Sequence, residues 1–152
     1  MLSQLRRSEI CQMPLLWSIE SLGSSTLKKE LKDKGAEPDD CFYVQNAALI
    51  IGKDDLDLQH DPPPDIVIES DLTSSSLDRF AIYAGLSVSE IWRVFNRRVD
   101  IWRLTDVSYE ESPHSAAFPF LTVEALNEFL LLGLAEGERK AAQALREWIQ
   151  KQ

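Results

Sequence analysis

Two acidic residues stand at the ends of apolar runs. Asp39, in EPDDCFYVQN, precedes one, and Glu69, in PDIVIESD, closes another. If both runs are neighbouring strands, the two carboxylates meet at one edge of a sheet. Two carboxylates, completed by waters and phosphate oxygens, form a hard-oxygen site suited to Mg²⁺. Such an ion polarises a scissile phosphate and lowers the pKa of a bound water, which then serves as the nucleophile. Acids at strand ends are also common as solvated surface groups, so spacing alone leaves both readings open.

Further polar residues lie near this pair. Asp71 leaves the same face of an extended chain as Glu69, because side chains alternate with a period of two. Like charges so placed repel unless a cation shares the space, which gives Asp71 a supporting role and calls for a basic partner. Gln45, just after CFYV, either points into the same cleft or makes a hydrogen bond at the edge of the core. Ser74, Ser75 and Ser76 read as cap and loop residues, with a smaller chance of a phosphate contact through backbone amides. His60 and His114 sit in separate polar loops without the spacing of a zinc site.

The elements that would position these groups follow from local pattern. Leu15 to Ile19 is apolar and strand-like, and the charged stretch from Lys28 to Asp40 reads as a solvated hairpin or loop. CFYVQN is rich in aromatic and β-branched residues and predicts a strand, followed by a single helical turn in AALI. Pro62, Pro63 and Pro64 cannot sit inside a paired central strand. DIVIES after them is nearly continuously apolar, the pattern of a strand covered on both faces. TSSSLDRFAIYAG predicts a short amphipathic helix with Leu77, Phe80, Ala81 and Ala84 at helical spacing and Gly85 as its stop. Ile91-Trp92-Arg93 and Ile101-Trp102-Arg103 flank the polar turn Asn96-Arg97-Arg98, which predicts a β-hairpin with Trp92 and Trp102 in packing roles. Two helices follow, the first capped by Thr122, the second spanning Glu136 to Gln150. The order of strands, helix, hairpin and helices implies a mixed α/β core.

Composition sets the class. The 152 residues, 44% of them hydrophobic, suffice for one domain with a genuine core. A net charge of −9 argues against passive, charge-driven nucleic-acid binding, so a polyanionic substrate would need a metal or a local basic patch. Cys11 and Cys41 are too few for a disulfide framework and read as small hydrophobes in a reducing compartment. No run of about 20 apolar residues offers a membrane span. The expectation is a soluble, cytoplasmic protein.

EPDDCFYVQN, the tract DPPPDIVIESDLTSSSLDRFAIYAGLSVSEIWRV and the closing DIWRL resemble a large bacterial family of restriction endonucleases within the PD-(D/E)xK nuclease superfamily. The resemblance runs from about Trp17 to the C-terminus. It implies a restriction-endonuclease-like fold, a mixed β-sheet flanked by α-helices, in a single domain over residues 1–152 whose N-terminal part is shortened. It also implies a Mg²⁺- or Mn²⁺-dependent endonuclease acting on nucleic acid, DNA in the first instance.

Carried over by motif, Pro38-Asp39 matches the family's first acid and Glu69 its second, the two metal ligands. The superfamily's lysine, two residues after the second acid, is replaced here by Asp71. The family's D-K-x-x-x-Y arrangement in the following helix matches Asp78-Arg79-Phe80-Ala81-Ile82-Tyr83, which makes Arg79 the catalytic cation and Tyr83 a possible support. Arginine keeps the charge but is planar and effectively never gives up its proton. The alternative is a catalytically degenerate homologue acting as a homodimeric interaction module through its edge strands.

Overall fold

The computed structural model describes residues 20–21, 31–34, 36, 38–53, 56–70 and 76–152, with the backbone alone for 20–21 and 76–78. The expected strand from Leu15 to Ile19, and Cys11, Asp71, Ser74, Ser75 and the side chain of Leu77, lie outside the described residues.

Among the described residues, six strands form one mixed sheet in chain order: β1 (Glu20–Ser21), β2 (Asp40–Tyr43), β3 (Ile66–Ser70), β4 (Glu90–Phe95), β5 (Arg98–Leu104) and β6 (Tyr109–Ser112). A short helical turn, α1 (Ala47–Ile50), follows β2. Every neighbouring pair is antiparallel except β3 and β4. A parallel pair requires a crossover, here made by α2 (Ser76–Gly85). The chain closes with α3 (Val123–Glu136) and α4 (Glu138–Ile149).

The period of two along β3 distributes its side chains to two buried faces, as its near-continuous apolar pattern predicts. Ile66 and Ile68 pack with Phe42, Trp92, Val99 and Ile101 beneath Leu126 and Leu130 of α3, with Phe129 and Trp148 partly buried against them. Val67 joins Cys41, Tyr43 and Ile91 on the other face, beneath Phe80 and Tyr83 of α2, with Trp102 at its margin. Both tryptophans of the hairpin therefore pack as expected, on opposite sides of the sheet. At roughly 1.5–3 kcal/mol for each fully buried large apolar side chain, these two layers dominate the stability of the fold.

The hairpin turn is Asn96-Arg97, with φ of 49° and 60°. Two successive positive φ values are the signature of a type I′ turn, whose twist matches that of the flanking strands. Thr122 caps α3 by accepting a hydrogen bond from Ala125 N at 3.2 Å.

Two local expectations need correction, and one strand was not foreseen. The stretch expected as a solvated loop contains a helical turn at 31–33, with Leu31 and Ala36 fully buried and Lys32, Asp33 and Lys34 exposed. Leu and Lys are good helix formers, and one inward leucine suffices to anchor the turn. On α2 the inward residues are Phe80 and Tyr83, while Ala81 is exposed. Strand β6, with the sequence YEES, was hidden because an edge strand of polar residues carries no apolar alternation.

Candidate active site

Strand β2 runs antiparallel to β3, with Asp40 opposite Ile68 and Cys41 opposite Val67. One step outward, the same register sets Asp39 against Glu69. Asp39 N donates to Ile68 O at 3.0 Å, and the Asp39 carboxylate accepts from Ser70 N, the residue after Glu69. The acid that opens one strand is thereby tied to the end of the other.

Glu69 points to the α2 side of the sheet and is 1% exposed. A carboxylate so deep needs a cation and hydrogen bonds, because burying an uncompensated charge is very costly. Arg79 supplies the cation, with Nη1 2.9 Å from Glu69 Oε2. The Tyr83 hydroxyl donates to Glu69 Oε1. Arg79 and Tyr83 are four residues apart on α2 and so share a helix face. Burial first, and then the bond to Glu69, push the Tyr83 phenol far above its ordinary range, so it stays a neutral donor. The Arg79 side chain is 28% exposed, so of Glu69, Arg79 and Tyr83 it is the one that reaches solvent.

The structure thus brings Asp39, Glu69, Arg79 and Tyr83 to one end of the β2–β3 pair. It does not bring Gln45 there: that side chain is exposed and follows β2 at the end opposite Asp39, which corrects its placement in the cleft. Direction decides this, since the chain leaves Asp39 along β2 before it reaches Gln45. His60 bonds Asp57 in a surface loop, and His114 forms an isolated bridge with Thr122, both away from the cluster.

One residue of the cluster was not singled out from sequence. The parallel register places Arg93 directly beside Glu69, and β5 then places Asp100 beside Arg93. Glu69, Arg93 and Asp100 therefore form a charged row across three strands, on the sheet face that carries α2, with Asp39 just before β2 at its end. Only the strand register reveals it, because Glu69 and Arg93 belong to separate motifs of the chain.

Among the described residues, no group of three or more His, Cys, Asp or Glu side chains could hold a metal. Asp39 and Glu69 are nevertheless a fitting donor pair for a hard divalent cation. Mg²⁺ is commonly held through one or two carboxylates and otherwise keeps water and phosphate oxygens.

The sequence profile of the Uma2 family, described as "Putative restriction endonuclease", matches residues 9–134. No curated protein and no solved structure matches the chain.

Proposed function

The chain belongs to the Uma2 family of restriction-endonuclease-like proteins, and from that premise we propose that it is a metal-dependent endonuclease hydrolysing phosphodiester bonds in DNA. The observation that carries this reading is the buried Glu69 at the end of a parallel strand, ion-paired to Arg79 and flanked by Asp39. Asp39 and Glu69 would hold Mg²⁺ or Mn²⁺. When bound, the ion supplies Lewis-acid polarisation of the phosphate and a more acidic water.

The protein's own groups have distinct tasks. Arg79, at the solvent edge of the cluster, offers a planar fork to phosphate oxygens and favours the charge that builds up on them as the bond breaks. It does not act as a proton donor, since a guanidinium holds its proton throughout the working pH range. The leaving oxygen accordingly takes its proton from water. Tyr83 fixes the orientation of the Glu69 carboxylate, and Ser70 N fixes that of Asp39.

The test is plasmid cleavage across a Mg²⁺ and Mn²⁺ titration, using wild type and Glu69→Gln purified side by side. Metal-dependent nicking by wild type alone supports the reading. Equal cleavage by both preparations assigns the activity to a contaminant.

A further inference from the structure

The hairpin β4–β5 carries basic residues that the metal pair and Arg79 leave unexplained. Arg93 lies in register with Glu69, and its side chain is 18% exposed. Its guanidinium sits 5.5 Å from the Phe95 ring centroid and 5.8 Å from that of Trp102. Among the described residues, its nearest carboxylate oxygen, on Asp100, is 3.7 Å away, too far for a hydrogen bond. Arg93 Nε is buried and has no hydrogen-bond partner among the described residues. The guanidinium is held in place by this stacking, and its partly exposed outer edge, 3.7 Å from Asp100, is what can bind an anion.

Arg98 continues this arrangement. It pairs with Phe95 across the hairpin, which puts it on the same face as Arg93 and Glu69, and its side chain is 66% exposed. Arg98 Nε donates to Asp100 Oδ1 at 2.9 Å, so one carboxylate holds the nearer edge of Arg98 while lying close to Arg93. Arg97, at the turn, is exposed as well. In a chain of net charge −9, these arginines and Arg79 gather at the end of the sheet that holds Glu69.

We infer that the β4–β5 hairpin is the strand-binding surface of the protein, with Arg93 and Arg98 gripping successive phosphates of a nucleic-acid backbone as it enters the Glu69 cluster. This deepens the nuclease reading and rests on it for the position of the bond to be cut. Phosphate contacts of this kind position the substrate without reading its sequence. They also supply locally the positive field that the whole chain lacks.

The test is fluorescence anisotropy with an end-labelled DNA duplex in chelator, at several salt concentrations, followed by cleavage kinetics in Mg²⁺. Arg93→Gln and Arg98→Gln should each weaken binding about tenfold and flatten the slope of log K against log salt by about 0.9, as for one lost phosphate contact. Arg103→Gln, an exposed residue facing the other side of the sheet, removes the same charge and should leave both unchanged. Arg93→Lys keeps charge and stem, so it should hold the salt slope while losing part of the affinity. It also serves if thermal melting shows that Arg93→Gln does not fold.

If all three neutralised variants bind alike, or if wild type binds no DNA, the inference is overturned. Binding that depends on Arg93 and Arg98 in a protein that cuts nothing upholds the surface and sinks the nuclease reading. Cleavage with KM unchanged in both variants does the reverse.

Discussion

Two glutamates, Glu69 and Glu90, are equally buried at 1% exposure, and they stand on the two parallel strands of one sheet. They differ in their partners. Glu90 faces the α3 side, where Trp92 Nε1 donates to one oxygen and Ala116 N donates to the other at 2.6 Å. Both donors are neutral and fixed, and they pin the segment before α3 to the start of β4. Glu69 faces the α2 side, where its partners are a phenol and a guanidinium that reaches solvent. Burial of an acid is therefore weak evidence for a site. A buried acid whose compensating cation opens toward water is stronger evidence, because that cation can exchange its partner for a substrate anion.

The same substitution at both positions separates the two roles. Glu69→Gln should reduce cleavage by about a thousandfold or more, equivalent to about 4 kcal/mol of barrier, because the carboxylate that would hold the metal is gone. Kinetics in Mg²⁺ measure this, with circular dichroism to confirm the fold. Retention of more than about a tenth of the activity would place the chemistry elsewhere.

Arg79 comes next in size. Arg79→Ala should lower cleavage about a hundredfold, or about 2.7 kcal/mol, by removing the phosphate clamp beside Glu69. Arg79→Lys should retain activity or raise it, since it restores the residue that the family pattern carries at this place. A lysine variant as inactive as alanine would show that the planar fork, not the charge, is what the site requires.

Glu90→Gln should act on stability. The amide offers one acceptor oxygen to two buried donors, so one donor is left unsatisfied at a cost of about 1–3 kcal/mol. Denaturant unfolding should show the loss, while activity per folded molecule stays at the wild-type level. A loss of activity without a loss of stability would erase the distinction between the two acids.

How much of this could be read in the chain depends on the range of the interactions. Strand β3, helix α2, the hairpin and the Thr122 cap were legible because periodicity, turn residues and caps act over a few positions. Asp39 and Glu69 were singled out by their strand-end positions, Arg79 and Tyr83 through the family resemblance, and the structure places the four near one another. Arg93 was missed because its neighbour Glu69 is set by a β3–β4 register that no local pattern specifies. Asp65 was missed for a similar reason. It is buried and holds the turn after β2 by accepting from Val44 N at 2.7 Å and Asn46 N at 3.1 Å. Its role is visible only once that turn is folded against it.

Tyr83→Phe is the smallest and most discriminating change. It removes one hydrogen bond from Glu69 but leaves the Arg79 ion pair, so cleavage should fall about tenfold, or about 1.4 kcal/mol. It should also change the alkaline limb of stability. The ordinary phenol value is 10.0, and in the folded chain burial and Glu69 raise it. Above about pH 10 the unfolded chain releases this proton while the folded chain keeps it, so rising pH pulls the equilibrium toward unfolding by up to about 1.4 kcal/mol per pH unit. Phenylalanine has no proton to release, so the variant should lose less stability than wild type between about pH 9 and about pH 11. Tyr109, also raised by burial, keeps part of the dependence in both proteins. Trp92→Phe removes the corresponding partner of Glu90, and because indole does not titrate in this range it should leave the alkaline slope as in wild type. Parallel pH slopes for wild type and Tyr83→Phe would mean that the phenol is not held against Glu69, and the contrast between the two glutamates would then rest on Arg79 alone.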